Sequence, residues 1–189
     1  MRVKTLLLAA SASMAPFAGP AQEPAVGAEF RVDSDASWIR ILAWPDGPLK
    51  RFGHHHVISH HGISGSVLVA EDPLDSTFSL EISVADLVVD DPESRALEGA
   101  EFQGEVPQED VEGTRANMLG ERLLHGEAFP TIQIRSASIE GSLPEVEIVA
   151  TLVVKGAENT LRFPARIELT DDALVARGEI ELAHAALGL

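Results

Sequence analysis

The stretch EVEIVATLVVKGAENTLRFPARIEL, residues 145–169, decides the fold class. Val146, Ile148, Ala150, Leu152 and Val154 alternate with Glu145, Glu147, Val149, Thr151 and Val153. After the break Lys155-Gly156-Ala157-Glu158-Asn159, Leu161, Phe163, Ala165, Ile167 and Leu169 alternate with Arg162, Pro164, Arg166 and Glu168. A period of two sends one set to a buried face and the other to water, which specifies strands rather than a helix. The polar, glycine-containing break between them reads as a turn. Working outward, Leu174, Ala176, Gly178, Ile180 and Leu182 alternate with Val175, Arg177, Glu179 and Glu181. Phe78, Leu80, Ile82 and Val84 alternate with Ser79, Glu81 and Ser83. Turn clusters at Pro45-Asp46-Gly47-Pro48, Glu71-Asp72-Pro73, Gly141-Ser142-Leu143-Pro144 and Thr170-Asp171-Asp172 separate the runs. Many strands joined by short turns predict a sandwich or a barrel.

The period changes once, between Gln108 and Leu124. Val111, Arg115, Met118, Leu119, Arg122 and Leu123 share one helical face. Asp110 and Glu112 favour the helix start, and Gly126 with Pro130 follows its end. Arg115 interrupts an otherwise apolar stripe, so it either snorkels past its neighbours or binds a polar head group or pins a loop. The stretch from Asp90 to Gly104 is polar and reads as a surface loop.

A chain of 189 residues is enough for one domain with a real core. The formal charge of −16 excludes a binder of nucleic-acid backbones, because neutralising phosphates needs a cationic face. The absence of cysteine excludes disulfides, thiolate metal sites and thiol nucleophiles. Arg2 and Lys4, then an apolar run from Leu6 to Ala18, then Gly19-Pro20-Ala21, have the layout of a secretory signal peptide. That run is shorter than the roughly 20 apolar residues a spanning helix needs, so no stable membrane span is expected. Residues 1–21 are read as the signal and 22–189 as one domain. Removing the signal takes away Arg2 and Lys4 and leaves 168 residues at a charge near −18.

Five of the seven histidines fall in one window, at 54, 55, 56, 60 and 61. In an extended segment His54 and His56 share a face, and such a pair can chelate zinc, copper or nickel. No third ligand has a telling spacing, and the alternative is a set of polar side chains at a cavity mouth. Nucleophilic catalysis has little support. There is no Gly-x-Ser-x-Gly elbow and no phosphate-cradling glycine loop, and no acid–base carboxylate pair stands out.

Phe30-Arg31-Val32-Asp33, Phe52-Gly53-His54-His55-His56-Val57 and Ile63-Ser64-Gly65-Ser66-Val67 resemble the opening strands of the YceI-like family. Val111-Glu112-Gly113-Thr114-Arg115 and Ala128-Phe129-Pro130-Thr131-Ile132 are similar to its central helix and the strand after it. Leu152-Val153-Val154-Lys155-Gly156 and Leu161-Arg162-Phe163-Pro164-Ala165 resemble its later hairpin. The resemblance implies a mainly β, antiparallel, lipocalin-like barrel with one inserted helix, holding a long apolar isoprenoid-type lipid, polyprenyl or quinone-like. It implies a periplasmic carrier with no catalysis and no required cofactor beyond such a lipid. The alternative is a metal-binding or redox-associated protein using the His54–His61 cluster. Phe78, Leu80, Ile82, Ile132, Ile134, Leu152 and Phe163 are the expected cavity residues, with Arg115 at the polar end and His54 and His56 as metal candidates. The family pattern continues past Gly188 with a final strand, whereas this chain ends at Leu189. The expectation is therefore a barrel left open beside Leu174 to Leu182, with self-association through that edge.

Overall fold

The strongest alternation gives the longest ladders. The computed structural model describes residues 2–6, 10–13, 28–45, 53–170, 173–183 and 187. The strands are β1 (Arg2–Leu6), β2 (Ala10–Ser13), β3 (Ala28–Arg31), β4 (Trp38–Trp44), β5 (His56–His61), β6 (Ser64–Val69), β7 (Thr77–Ser83) and β8 (Val88–Val89). Two helices follow, α1 (Pro92–Ala96) and α2 (Gln108–Leu119). Then come β9 (Thr131–Ser142), β10 (Glu145–Val154), β11 (Ala157–Leu169), β12 (Ala173–Gly178) and β13 (Glu181–Ala183). β10 pairs antiparallel with β11 without a break, from Glu145 opposite Arg166 to Val154 opposite Ala157. Lys155 at φ 50° and Gly156 at φ 75° form the two-residue turn between them. Left-handed residues at both positions match the twist of a tight hairpin.

One sheet runs β2-β12-β11-β10-β9-β7-β6-β3 and the other β13-β1-β4-β5-β8. Three long strands pass from one sheet to the other: β5 into β6 around Gly62 at φ 90°, β7 into β8, and β12 into β13. The strand expected from Leu174 to Leu182 is thus split at Glu179-Ile180. These passages wrap the sheets into an antiparallel barrel, nearly closed. β1 joins β13 to β4, while β2 lies beside β3 without a ladder between them, leaving one seam unsealed. The inward residues form one core, including Leu80, Ile82, Ile134, Ile148, Ala150, Leu152, Leu161 and Phe163.

Several expectations are corrected. The second side of β12, expected to be open, pairs with β2 in the full-length chain. In the full-length chain, residues 2–6 and 10–13 are strands. The stretch from Asp90 to Gly104 is not a plain loop. Asp91 caps α1 by accepting from the Ser94 N–H at 2.8 Å, and a 3₁₀ turn at Ala100–Phe102 buries Phe102. Phe102 packs edge-on to Trp44 at 5.0 Å, so this segment covers the outside of β4 and β5. α2 ends at Leu119 rather than Leu124, because Gly120 leaves the helical backbone. Leu123 and Leu124 still turn inward, held by the Leu124 N–H on Met118 O at 3.0 Å. Residues 46–52, Gly19-Pro20-Ala21 and Asp171-Asp172 lie outside the described residues.

Gly65 shows how tightly β6 and β7 meet. It sits at φ 141°, and a Cβ there would lie 2.1 Å from the Ser79 carbonyl oxygen, on backbone that cannot step aside. Gly65→Ala is expected to destabilise the chain by about 3 kcal/mol, from combined strain and overpacking. The check is urea unfolding, with a lower midpoint at an unchanged slope.

Candidate functional site

Because inward side chains of a barrel must fill or line its interior, the same alternation that makes the core also makes the cavities. Two are present among the described residues. The larger, about 290 Å³, lies under α2. Its walls come from Ile41, Ile58, Ile82, Ile132 and Leu152 of the strands and Met118 of the helix. The smaller, about 60 Å³, lies towards the other end, among Phe78, Leu80, Ile148, Phe163 and Leu174. Ile134 and Leu161 belong to both walls, so the two spaces meet at these side chains. Among the described residues, the only polar ones lining the larger cavity are His56, Thr114 and Asn117, all at the α2 end, and Ser76 is the only polar one on the smaller cavity.

The polar end is built around Asp90. Its side chain is 1 % exposed. Asp90 closes the β5–β8 pairing with its own N–H on Val57 O at 2.7 Å, and takes φ 57° in doing so. Asp90 Oδ2 accepts from His56 Nδ1 at 2.6 Å, and Oδ1 accepts from the Val57 N–H at 2.9 Å and from Arg95 Nη1. Arg95 makes two further bonds: Nη1 also donates to His55 O at 2.8 Å, and Nη2 to Gly104 O at 3.0 Å. Burial opposes ionisation of Asp90. The hydrogen bonds from His56 and Val57, with the charge of His56 and the Arg95 contact, outweigh it and hold the carboxyl below its usual range. On the other side of the ring, His56 Nε2 lies 3.4 Å from Thr114 Oγ1.

Of the residues singled out in the sequence, Ile82, Ile132 and Leu152 line the larger cavity, Phe78, Leu80 and Phe163 the smaller, and Ile134 both. Arg115 lines neither. Its Nη2 donates to Ala85 O at 2.7 Å and fixes the turn after β7. His54 is half-exposed and pairs with Asp110 at 3.6 Å, with its ring centroid 6.3 Å from that of His56. Among the described residues, no group of three or more His, Asp or Glu is placed to hold a metal ion. Asp90, Arg95, Thr114 and Asn117 escaped the sequence reading. The signals for the first pair were the helix-start pattern Asp91-Pro92 and the isolated Phe102, which mark the segment as packed rather than loose. His60, on the same strand face as His56, is 1 % exposed. Burial pushes its imidazole below the usual range, against the opposing charge of Asp86.

The YceI-like domain family matches residues 30–189. The crystal structure of Burkholderia cenocepacia BcnA is similar over 95 % of this chain and 96 % of that chain, at 9 % identity and a TM-score of 0.39. No curated protein matches the chain. Among the described residues, no helix is long and apolar enough to cross a membrane.

His60 and Asp90 give the fold two separate acid sensitivities. The folded pKa of His60 lies below its ordinary 6.5, so the unfolded chain takes up the proton first. Its contribution is complete above pH 6.5 and falls as the pH drops below that value. Asp90 contributes above its ordinary 3.8 and loses that contribution as the pH falls further. Urea unfolding at pH 7.5, 5 and 3 is expected to show two successive losses of stability. His60→Gln should flatten the first. Asp90→Asn should flatten the second, while lowering stability throughout by about 3 kcal/mol because Arg95 is left unpaired.

Proposed function

The chain belongs to the YceI-like family, a family of binding proteins built on a lipid-holding barrel, and from that premise we propose that it is a periplasmic, non-catalytic carrier of a long isoprenoid-type lipid. The observation that carries this reading is the pair of apolar cavities that share Ile134 and Leu161 as walls. Their walls are apolar along the length and meet at Ile134 and Leu161, with polar groups concentrated at the α2 end. A linear chain with one polar head has that distribution of chemistry, whereas a compact polar substrate would leave the inner walls unmatched. A buried apolar side chain gains about 1.5–3 kcal/mol by leaving water, and the corresponding gain on the ligand side would hold the lipid. The secretion-signal layout of residues 1–21 supports the periplasmic assignment.

The test is native mass spectrometry of protein purified without denaturant, followed by organic extraction. Wild type is expected to yield a polyprenyl or quinone-like lipid, and Leu80→Glu to yield none while remaining folded. Ile134→Trp narrows the junction between the cavities and should shift the recovered lipid to shorter chains. An unchanged chain-length distribution in Ile134→Trp would remove the basis for a ligand running through both. One metal ion held tightly per chain, and lost when His54 and His56 become Ala, would favour the metal reading instead.

Processing bears on assembly. β1 pairs on one side with β13 and on the other with β4. We propose that removal of residues 1–21 uncovers ladder edges on β4, β12 and β13, and that these pair with a second copy of the chain. The charge near −18 opposes such pairing by repulsion, and salt screens it. Sedimentation velocity of the 22–189 chain is expected to show larger species on going from low salt to about 0.5 M, with full-length chain changing less. A single monomer boundary at every salt concentration would overturn this.

A further inference from the structure

We propose that His56 Nε2, beside Thr114, is a head-group subsite that accepts a hydrogen bond from a hydroxyl on the lipid, and that the barrel therefore favours neutral hydroxyl-bearing lipids over capped or anionic ones. This rests on the carrier reading given above and deepens it by naming the head group.

The ring is oriented from behind. With its Nδ1–H donated to the ionised Asp90 at 2.6 Å, the neutral imidazole must carry its lone pair on Nε2. Asp90 is itself held by the Val57 N–H and Arg95, so the ring cannot turn without breaking a buried network. A carboxylate behind a histidine in this way fixes the tautomer and the orientation of the ring. That nitrogen faces Thr114, and His56 and Thr114 both line the larger cavity. The contact to Thr114 Oγ1 is 3.4 Å, longer than an ordinary hydrogen bond to nitrogen, so Nε2 retains its acceptor capacity. A partly buried acceptor whose nearest donor stands at 3.4 Å is open to a donor arriving with the ligand.

The same surroundings disfavour an anionic head. Arg95 spends its donors on Asp90, His55 O and Gly104 O, and Arg115 donates to Ala85 O. Asp90 stands directly behind His56, and Asp110 lies beside His54. Among the described residues, a phosphate at this end would meet no uncommitted guanidinium and would have two carboxylates nearby. A head with only carbonyl or ether oxygens would face the Nε2 lone pair with its own lone pairs. The hydroxyl that fits can belong to a prenol or to a prenylated hydroquinone, which share the O–H donor.

The experiment is isothermal titration of delipidated full-length protein with farnesol, farnesyl methyl ether, farnesyl phosphate, a farnesylated hydroquinone and its dimethyl ether. Wild type is expected to bind at least one hydroxyl compound tenfold or more tightly than its ether, with the phosphate weakest. The pair with the larger ratio identifies the head as prenol or hydroquinone. His56→Phe should bring that ratio close to one while leaving ether binding within about threefold of wild type. Thr114→Val, which keeps Nε2, should retain the preference. Equal binding of alcohol and ether by wild type, or tightest binding of the phosphate, would overturn the head-group assignment and leave the carrier reading standing. Binding of none of the five would overturn both. The wild-type ratios decide the matter even where His56→Phe fails to fold.

Discussion

A carboxylate removed from water must be compensated completely, and Asp90 sets this constraint on the polar end of the barrel. The compensation comes from three groups, the Val57 N–H and His56 of β5 and the Arg95 guanidinium of α1, while the Asp90 backbone N–H extends the β8 pairing onto Val57 O. Arg95 in turn must be satisfied, and it reaches His55 O and Gly104 O. One buried charge thus fixes the loop before β5, the chain leaving β8, the short helix and the segment that carries Phe102. The ring of His56 is the outermost member of this network and the only one that reaches the larger cavity.

The cavities have a different origin. A sheet whose strands all ran straight through one layer would pack its inner faces shut. Here three strands change sheets along their length, and each change swings the inward row of side chains to a new direction. The long ladders of β9, β10 and β11 stay in register and give the rigid wall, apart from one irregularity between Val149 and Ala150. Space is left where the wall faces the strand bends, and α2 covers the wider end. Ile134 and Leu161 project from the rigid wall, which is why they separate and join the two cavities at once. Glycine is used where backbones come closest, at Gly65 against Ser79.

The wall was legible in the sequence and the network behind His56 was not, for a physical reason. A strand with one wet face must alternate, so Val146 to Val154 and Leu161 to Leu169 announce themselves. The inward set of a barrel is also its cavity set, and the seven apolar residues singled out all line one cavity or the other. A buried ion network leaves no such period. Asp90 and Arg95 lie in a polar run that resembles a solvated loop, and their burial depends on a strand 34 residues away from Asp90 through His56. Arg115 was visible as a charge on an apolar stripe, but its carbonyl partner Ala85 is set by tertiary packing alone. The helix end misled because Leu123 and Leu124 keep pointing inward after Gly120 has ended the helix.

The charge of the chain follows the same division between wall and interior. The cationic side chains of β11 stand on its outer face among acids: Arg162 with Glu147 and Glu140, and Arg166 with Glu145 and Glu168. All are exposed, so these pairs contribute little to stability. Their effect is to spread the outer charge, which keeps an acidic protein from repelling itself at one place. None of these arginines reaches a cavity, and the cations nearer the interior, Arg95 and Arg115, are turned onto backbone carbonyls or Asp90. The barrel therefore presents a net negative exterior around an interior with no uncommitted guanidinium among its described lining residues. An anion approaching the α2 end would be repelled on the way and uncompensated on arrival. On the head-group reading proposed above, a neutral chain is indifferent to the first effect and gains from the apolar wall, so charge would select before shape.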